Sequence, residues 1–125
     1  MSERPTVEAF LERYVAVWNE GDPAARRESV EALWAPDGAM VNRVRRYTGH
    51  AEVAEGVGRS YDAFVARGFR FEADGHRAHH DAVLFLWLMR DRDGEVDSRG
   101  ANFIQVAGDG RIVLDHQFAE PPEGG

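Results

Sequence analysis

A run of eight apolar residues, Ala82 to Met89, constrains the fold of this chain more than any other segment. Successive side chains of a strand point to opposite faces of its sheet, so an uninterrupted apolar strand needs cover on both faces. The face that we expect to pack against helices carries Val83, Phe85 and Trp87. The opposite face presents an apolar ridge formed by Leu84, Leu86 and Leu88.

This ridge predicts a partner, because a contiguous apolar surface is rarely left exposed on a monomer. We expect a homodimer packed sheet to sheet through the ridge, since most oligomers join identical surfaces. In the alternative arrangement, the end of the chain folds back and covers the ridge. Light scattering that detects a monomer at micromolar concentration would contradict the dimer.

Helical signals occupy the first part of the chain and strand signals the rest. Apolar periodicity, caps and breakers predict helices within residues 6–21, 22–36 and 49–68. The second helix is expected to bury Val30, Leu33 and Trp34. Strands are expected over residues 39–44, 47–48, 69–73, 76–89 with a break near Asp81, 99–107 and 111–118. Helices followed by strands predict an α+β domain, in which a curved antiparallel sheet folds over the helices.

Composition narrows the range of partners and compartments. A net charge of −7 disfavours nucleic acid and anionic membranes, and we expect neither as a partner. The absence of cysteine excludes disulfides and zinc–thiolate sites and is compatible with the cytoplasm, where we expect the protein. The chain begins without an apolar secretory signal, and its longest apolar run is too short to span a bilayer. We expect one soluble domain over residues 1–120 and a flexible tail over residues 121–125.

Several motifs of cofactor-dependent or covalent catalysis are absent from the sequence. It has no Gly-rich phosphate loop, no dinucleotide fingerprint and no G-x-S-x-G nucleophile motif. We therefore expect any chemistry to be non-covalent and to need no cofactor.

Three short motifs carry a family resemblance. The runs at residues 13–22, which include Tyr14, and at residues 33–39 resemble the opening of bacterial ketosteroid isomerases. Residues 110–113 resemble the last hairpin of those enzymes and of SnoaL-like polyketide cyclases. The resemblance covers nearly the whole chain in element order. It implies the cone-shaped nuclear transport factor 2-like fold, with a curved mixed or antiparallel sheet wrapped around three N-terminal helices and an internal pocket.

The resemblance also assigns roles to individual positions, although the superfamily hosts both enzymes and binding proteins. The oxyanion-binding tyrosine of the isomerases corresponds to Tyr14. Their two catalytic aspartates correspond to Asn42 and Asn102, and the acid of the cyclases corresponds to Gln117. Amides do not titrate near neutral pH, so the isomerase mechanism as such is not expected. The Tyr14 O–H and the Asn102 side-chain N–H remain as donors to a developing oxyanion. In the alternative interpretation, Tyr14 is a core residue whose hydroxyl reaches the surface.

Asp115 is the remaining acid of interest. Alternation along the last strand places Asp115 on the same face as Gln117, which the resemblance assigns to the pocket. A carboxyl group in an apolar cavity has a raised pKa, which suits acid–base work. The alternative follows from the more apolar face around Ile112, which would form the core and leave Asp115 in solvent.

The histidine-rich segment before the apolar strand offers a second candidate for chemistry. It comprises His76, His79, His80 and Asp81, with His116 further along the chain. His79 and His80 point to opposite faces of a strand, so they cannot bind one ion without a bulge, and we expect no metal. Either histidine alone is a candidate acid or base. In the alternative interpretation, the pair ends a strand and bonds to backbone.

The sequence thus predicts a pocket protein for a small, hydrophobic, oxygenated molecule such as a polyketide-like or steroid-like carbonyl compound. The residues expected to contact the ligand are Trp18, Trp34, Met40, Asn42, Tyr61, Phe85, Trp87 and Gln117. As an enzyme, it would isomerise, cyclise or dehydrate this compound, with Tyr14 and Asn102 stabilising an enolate. Asp115, His79 or His80 would move the proton. The alternative is a non-catalytic ligand-binding or dimerisation domain.

Overall fold

The computed structural model describes residues 6–119, so the predicted flexible tail at residues 121–125 lies outside the described residues. The helices are α1 (Val7–Asn19), α2 (Pro23–Leu33) and α3 (Gly49–Ala63), followed by a 3-10 turn at Val65–Arg67. The strands are β1 (Trp34–Val41), β2 (Arg46–Thr48), β3 (Arg70–His79), β4 (Ala82–Arg90), β5 (Val96–Val106) and β6 (Ile112–Ala119). The predicted order of elements, with two short strands between the second and third helices and the remaining strands at the end, is confirmed.

The predicted caps fix the start of the first two helices. The Thr6 side chain accepts a hydrogen bond from the backbone N–H of Ala9 at 3.1 Å. Asp22 accepts one from Ala24 at 3.2 Å, with Pro23 in the first turn of α2. Each cap satisfies a backbone N–H that has no partner within its own helix.

One six-stranded sheet holds the molecule together, in the order β2-β1-β6-β5-β4-β3. All neighbouring strands are antiparallel except β1 and β6, which are parallel. The sheet is therefore mixed, and the predicted α+β class with a curved mixed sheet wrapped around three helices is confirmed. The parallel pair matters for function because it places β1, the first strand, next to β6, the last strand.

The first strand begins earlier than predicted. β1 starts at Trp34, directly after the last residue of α2, whereas the sequence predicted a helix to Trp34 and a strand from Ala39. The register with β6 shifts between Trp34 and Ala39, so the Pro-Asp-Gly segment forms an irregularity inside the strand. A Cβ on Gly38 would lie 2.5 Å from the carbonyl oxygen of Ile112, so this close approach requires glycine.

A bulge and a tight turn shape the β3–β4 hairpin. The predicted strands 69–73 and 76–79 form one strand, whose register shifts between Ala73 and His76. Gly75 lies there with a φ of 114°, a backbone conformation that favours glycine. The break predicted near Asp81 is confirmed, and His80 occupies the turn with a φ of 51°.

The apolar strand β4 has one face in the core, as predicted. Val83 and Phe85 are buried beneath the helices. On the other face, Leu84 is 41% exposed and Leu86 37% exposed. Leu84 pairs with Phe103 of β5, which is also exposed. We call Leu84, Leu86 and Phe103 the outer apolar patch.

Leu88 corrects the predicted ridge, because it is buried rather than exposed. Its cross-strand neighbours are Glu72 and Arg99, two long side chains on the same face of the sheet. This pairing places the aliphatic parts of both side chains beside Leu88, and the exposed apolar surface ends at Leu86. Among residues 6–119, no helix is long and apolar enough to cross a membrane.

Candidate functional site

A cavity of about 770 Å³ opens between the helices and the inner face of the sheet. This volume is in the range of small-molecule sites. Its walls are mainly apolar and include the rings of Trp18, Tyr47, Phe64, Phe71, Phe85 and Trp87. The polar lining includes Tyr14, Asn102 and Gln117, together with charged side chains such as Glu72 and Asp97.

Tyr14 and Asp115 form the closest polar contact of the site. The Tyr14 hydroxyl donates to Asp115 Oδ2 at 2.5 Å, and both residues are fully buried. Asp115 lies on β6 between its register partners, Met40 of β1 and Ile104 of β5, which are buried and apolar. Asp115 does not line the cavity, whereas Tyr14 and Gln117, which both donate to its carboxyl group, do.

Two further side chains extend this contact into a chain in which each residue donates a hydrogen bond to the next. The Trp87 indole N–H donates to Asn102 Oδ1 at 3.0 Å, and Asn102 Nδ2 donates to the Tyr14 hydroxyl oxygen at 2.7 Å. Because an indole N–H can only donate, it fixes the Asn102 carbonyl toward Trp87 and the amide nitrogen toward Tyr14. We call Trp87, Asn102, Tyr14 and Asp115 the buried hydrogen-bond chain.

Local packing explains how the sequence places this chain. Trp87 lies across from Gly100, and a Cβ there would collide with the indole ring, so only glycine leaves the ring room. On α1, the apolar stripe turns Tyr14 inward, where its ring contacts Phe85 edge-on at 5.5 Å and tilts against Trp34 at 5.9 Å. The ring is therefore held on two sides while its hydroxyl reaches β6.

Burial dominates the electrostatics of the chain. Loss of hydration raises the pKa of the Asp115 carboxyl from 3.8 to about 7, although hydrogen bonds from Tyr14 and Gln117 oppose the rise. Burial, followed by the nearby Asp115 charge, raises the pKa of Tyr14 well above 10. Near neutral pH, Tyr14 is thus a neutral hydroxyl, while Asp115 exists in both protonation states.

The two carboxyl oxygens of Asp115 differ in their hydrogen bonds. Its Oδ2 accepts from Tyr14 and, at 3.4 Å, from Gln117 Nε2. Its Oδ1 has no partner within the described part of the chain. An unpaired oxygen costs less free energy on a neutral carboxylic acid than on a carboxylate, so this inventory favours the protonated form.

The structure brings three of the five predicted catalytic residues together: Tyr14, Asn102 and Asp115. Of the predicted ligand-contacting residues, those that line the cavity are Trp18, Met40, Asn42, Phe85, Trp87 and Gln117. Asn42 also has a structural task, since its Oδ1 accepts from the backbone N–H groups of Val44 and Arg45, both at 2.9 Å. Asn42 therefore caps the turn between β1 and β2.

Two predicted ligand contacts lie outside the cavity lining. Trp34 is fully buried on the far side of Tyr14, because β1 begins at this residue and turns it into the core. Tyr61 faces α2 instead, with the Arg26 guanidinium stacked over its ring at 4.8 Å. Of the two, only Trp34 touches the site, through its contact with the Tyr14 ring.

The two histidines also lie outside the cavity. His79 and His80 are exposed at the β3–β4 turn, with ring centroids 5.5 Å apart. His80 has a left-handed backbone, and neither ring is part of the cavity lining. Within residues 6–119, no group of three or more histidine, aspartate or glutamate side chains is arranged to hold a metal.

Two features of the cavity escaped the sequence analysis. Phe71 packs edge-on against Trp87 at 5.4 Å and lines the cavity. Gly56 in the middle of α3 lets Met40 and Tyr47 approach, since a Cβ there would lie 2.6 Å from Met40 Cε. A glycine inside a helical pattern is a sign of close packing, and this signal was available in the sequence.

The family and the fold are visible in comparisons with known proteins. The model of the SnoaL-like domain matches residues 11–114. A protein from Agrobacterium tumefaciens, described provisionally as an isomerase of the SnoaL-like family, has a TM-score of 0.84 at 25% identity over 91% of this chain and 97% of that chain. A comparison with curated proteins finds no significant match.

Two more distant structures share the fold alone. A protein from Sinorhizobium meliloti, described provisionally as a polyketide cyclase, has a TM-score of 0.68 at 17% identity over 87% of this chain and 93% of that chain. A protein with a ketosteroid isomerase-like fold from Catenulispora acidiphila, in complex with trimethylamine, has a TM-score of 0.69 at 17% identity, covering 93% and 86% of the two chains. With its helices, mixed sheet and internal cavity, and a family match over residues 11–114, this chain belongs to the SnoaL-like domain family and has the nuclear transport factor 2-like fold.

Proposed function

We propose that this protein binds a small, hydrophobic carbonyl compound, polyketide-like or steroid-like, and moves a proton within it without a cofactor. The observation that carries the proposal is the 2.5 Å hydrogen bond between Tyr14 and Asp115, one residue behind the wall of an apolar cavity. The isomerase and polyketide cyclase descriptions of the similar structures support the same class of chemistry.

Asp115 acts on the substrate through Tyr14, because Asp115 itself does not line the cavity. In the first step, the Tyr14 oxygen takes a proton from the carbon beside the substrate carbonyl, while its own proton passes to the Asp115 carboxylate. The products are an enolate, a neutral tyrosine and a neutral Asp115. In the second step, Asp115 returns its proton to Tyr14, and Tyr14 protonates the substrate at a different atom.

Amide groups would stabilise the enolate between these steps. Asn102 Nδ2 carries two hydrogens, of which one goes to the Tyr14 oxygen. The other hydrogen and the Gln117 amide are available to an oxyanion in the cavity. The amides at positions 42, 102 and 117 thus bind and orient the substrate, and Asp115, which contacts the cavity residue Tyr14, carries the proton.

Deuterium exchange tests the proposal with simple model ketones in place of the natural substrate. Cyclic ketones and enones with fused rings are incubated in heavy water, and NMR follows deuterium entry at the carbon beside the carbonyl. The wild-type protein should accelerate this entry, and Tyr14→Phe or Asp115→Asn should slow it about 100-fold or more, as expected for loss of an acid–base group. His79→Ala is the matched control and should exchange at the wild-type rate. Full activity in both site variants would contradict the relay.

A second candidate, a non-catalytic ligand-binding domain, is favoured by the amides at the three positions where related enzymes carry acids. It predicts that a ketone binds in the cavity while no variant or condition produces deuterium entry. The pH dependence of binding adds a discriminator, because a cavity served by a titrating acid binds differently on the two sides of neutral pH.

We further propose that the protein forms a homodimer through the outer apolar patch. Leu84 and Leu86 lie two residues apart on β4, Leu84 pairs with Phe103 of β5, and all three are between one third and one half exposed. Burial of such a patch between two copies stabilises a dimer by the hydrophobic effect. Light scattering should find a dimer at micromolar concentration and a monomer for Leu84→Glu. A monomeric wild-type protein would overturn the proposal.

A further inference from the structure

The hydroxyl of Tyr14 has a single proton, and its neighbours decide where that proton points. A charged Asp115 can only accept hydrogen bonds, so the Tyr14 proton points to Oδ2, which lies 2.5 Å away. Asn102 donates to the same hydroxyl oxygen at 2.7 Å. In this state, Tyr14 offers the cavity a lone pair and no proton.

A neutral Asp115 reverses this arrangement without moving any heavy atom. Its own O–H can donate to the Tyr14 oxygen across the same contact. The Tyr14 oxygen then accepts from both Asn102 and Asp115, which fills its two lone pairs. Its proton has no remaining internal acceptor and points into the cavity, which Tyr14 lines.

We propose that Asp115 is a positioning residue that sets the direction of the Tyr14 hydrogen bond and thereby the class of ligand that the cavity accepts. With Asp115 neutral, the cavity selects ligands whose polar group accepts a hydrogen bond, such as ketones. With Asp115 charged, it selects ligands that donate one, such as alcohols. This inference rests on the proposed function, because it needs a hydrophobic, oxygenated ligand beside Tyr14.

The surroundings of Asp115 allow this reversal to occur near neutral pH. The groups that face it are Tyr14 on α1, Met40 on β1, Ile104 on β5 and Gln117 on its own strand. Among these, only Tyr14 titrates, and its pKa is raised well above 10. Burial raises the pKa of Asp115 to about 7, so acidification favours the ketone-binding state.

The test uses three ligands of nearly equal shape: tetralin, α-tetralone and α-tetralol. Calorimetric titrations from about pH 5 to about pH 9 give the affinity of each ligand, and tetralin reports the apolar contribution. The affinity of the ketone relative to tetralin should fall about five- to tenfold as pH rises, as expected for the loss of one hydrogen bond. The affinity of the alcohol relative to the ketone should rise over the same interval.

Two variants isolate Asp115. In Asp115→Leu, the Tyr14 proton has no internal acceptor, so the ketone should bind with the affinity of the acidic wild-type protein at every pH. Asp115→Asn does not titrate and should also give a flat profile, which keeps the test valid if the leucine variant fails to fold. His79→Ala, which alters a distant exposed residue, should keep the wild-type profile.

The outcomes separate the two proposals. If the tetralins bind and the ketone preference does not change with pH in the wild-type protein, the inference about Asp115 is wrong and the hydrophobic pocket stands. If none of the three ligands binds at any pH, both proposals are overturned. A pH profile that persists in Asp115→Leu would assign the titration to another group and would also overturn the inference.

Discussion

The buried hydrogen-bond chain and the exposed β3–β4 turn each place ionisable side chains in contact, but they differ in access to water. In the chain, Tyr14 and Asp115 are fully buried, and each polar contact has a defined direction. At the turn, the rings of His79 and His80 meet edge-on in solvent, where water competes for every bond. Both clusters looked suited to chemistry in the sequence.

The difference teaches that contact between reactive side chains is not enough to make a site. Burial raises the pKa of Asp115 to about 7 because a carboxylate in an apolar environment loses its hydration. The same burial fixes hydrogen-bond directions, since each buried polar group needs a partner. The turn has neither constraint, and it lies outside the cavity that a ligand would fill.

The largest effect that tests this comparison is the pH dependence of stability. The folded protein raises the pKa of Asp115 from 3.8 to about 7, so it holds a proton that the unfolded chain releases. The free energy of unfolding should therefore be highest at acidic pH and fall as pH rises to about 7, by at most about 4 kcal/mol at about 1.4 kcal/mol per pKa unit. Urea denaturation of Asp115→Asn should lack this fall, and parallel curves for the two proteins would contradict it.

Removal of the Tyr14 hydroxyl should have the next largest effect. Tyr14→Phe keeps the ring contacts but leaves the Asp115 carboxylate without its main donor, which should cost about 3 kcal/mol at alkaline pH. At acidic pH, where Asp115 is neutral, the loss should be smaller. Urea denaturation measures both values, and Tyr47→Phe, which alters another buried ring of the cavity wall, should lose less than about 1 kcal/mol. Equal losses for the two variants would show that the chain has no special role.

The middle of the chain should contribute less. Asn102→Leu removes the acceptor of the Trp87 N–H and a donor to Tyr14, and should destabilise the protein by about 2 kcal/mol, because neutral groups lose their partners. Denaturation at one pH is sufficient for this measurement. Gln105→Ala is the control on the same strand, since its bond to Asp81 is exposed, and it should change stability by less than about 0.5 kcal/mol.

The smallest effects are expected at the turn. His79→Ala should change the free energy of unfolding by less than about 0.5 kcal/mol, as an exposed substitution does. His80→Ala should cost about 1 kcal/mol because the left-handed backbone disfavours alanine, and His80→Gly should recover that loss. Thermal denaturation of the three variants tests this order. A loss above that of Tyr14→Phe would reverse the comparison.

The fold could be predicted because its signals are local. The caps at Thr6 and Asp22, and the all-apolar strand at residues 82–89, each act within a few residues. The start of β1 could not be predicted in this way. Its first residues are held by the parallel pairing with β6, a contact between distant parts of the chain, while Pro36 and Gly38 gave a local breaker signal.

The sequence predicted which face of β6 carries the site residues, but not how far each residue lies from the cavity. Alternation and the family resemblance placed Asp115 and Gln117 on one face, and both side chains form hydrogen bonds inside the molecule. Only the packed structure reveals that Asp115 lies behind Tyr14 instead of in the cavity wall. Likewise, helical periodicity marks Tyr61 as an inward residue, but one helix face serves both the cavity and the contact with α2.

The buried position of Asp115 determines how its proton can exchange with water. The indole at one end of the hydrogen-bond chain does not ionise, and the carboxyl group at the other end has no exposed surface. Asp115 therefore communicates with bulk water through Tyr14 and the cavity. A bound ligand would occupy this same route, so ligand binding and proton exchange between Asp115 and water use the same space. The shared route makes the order of ligand binding and protonation part of the chemistry.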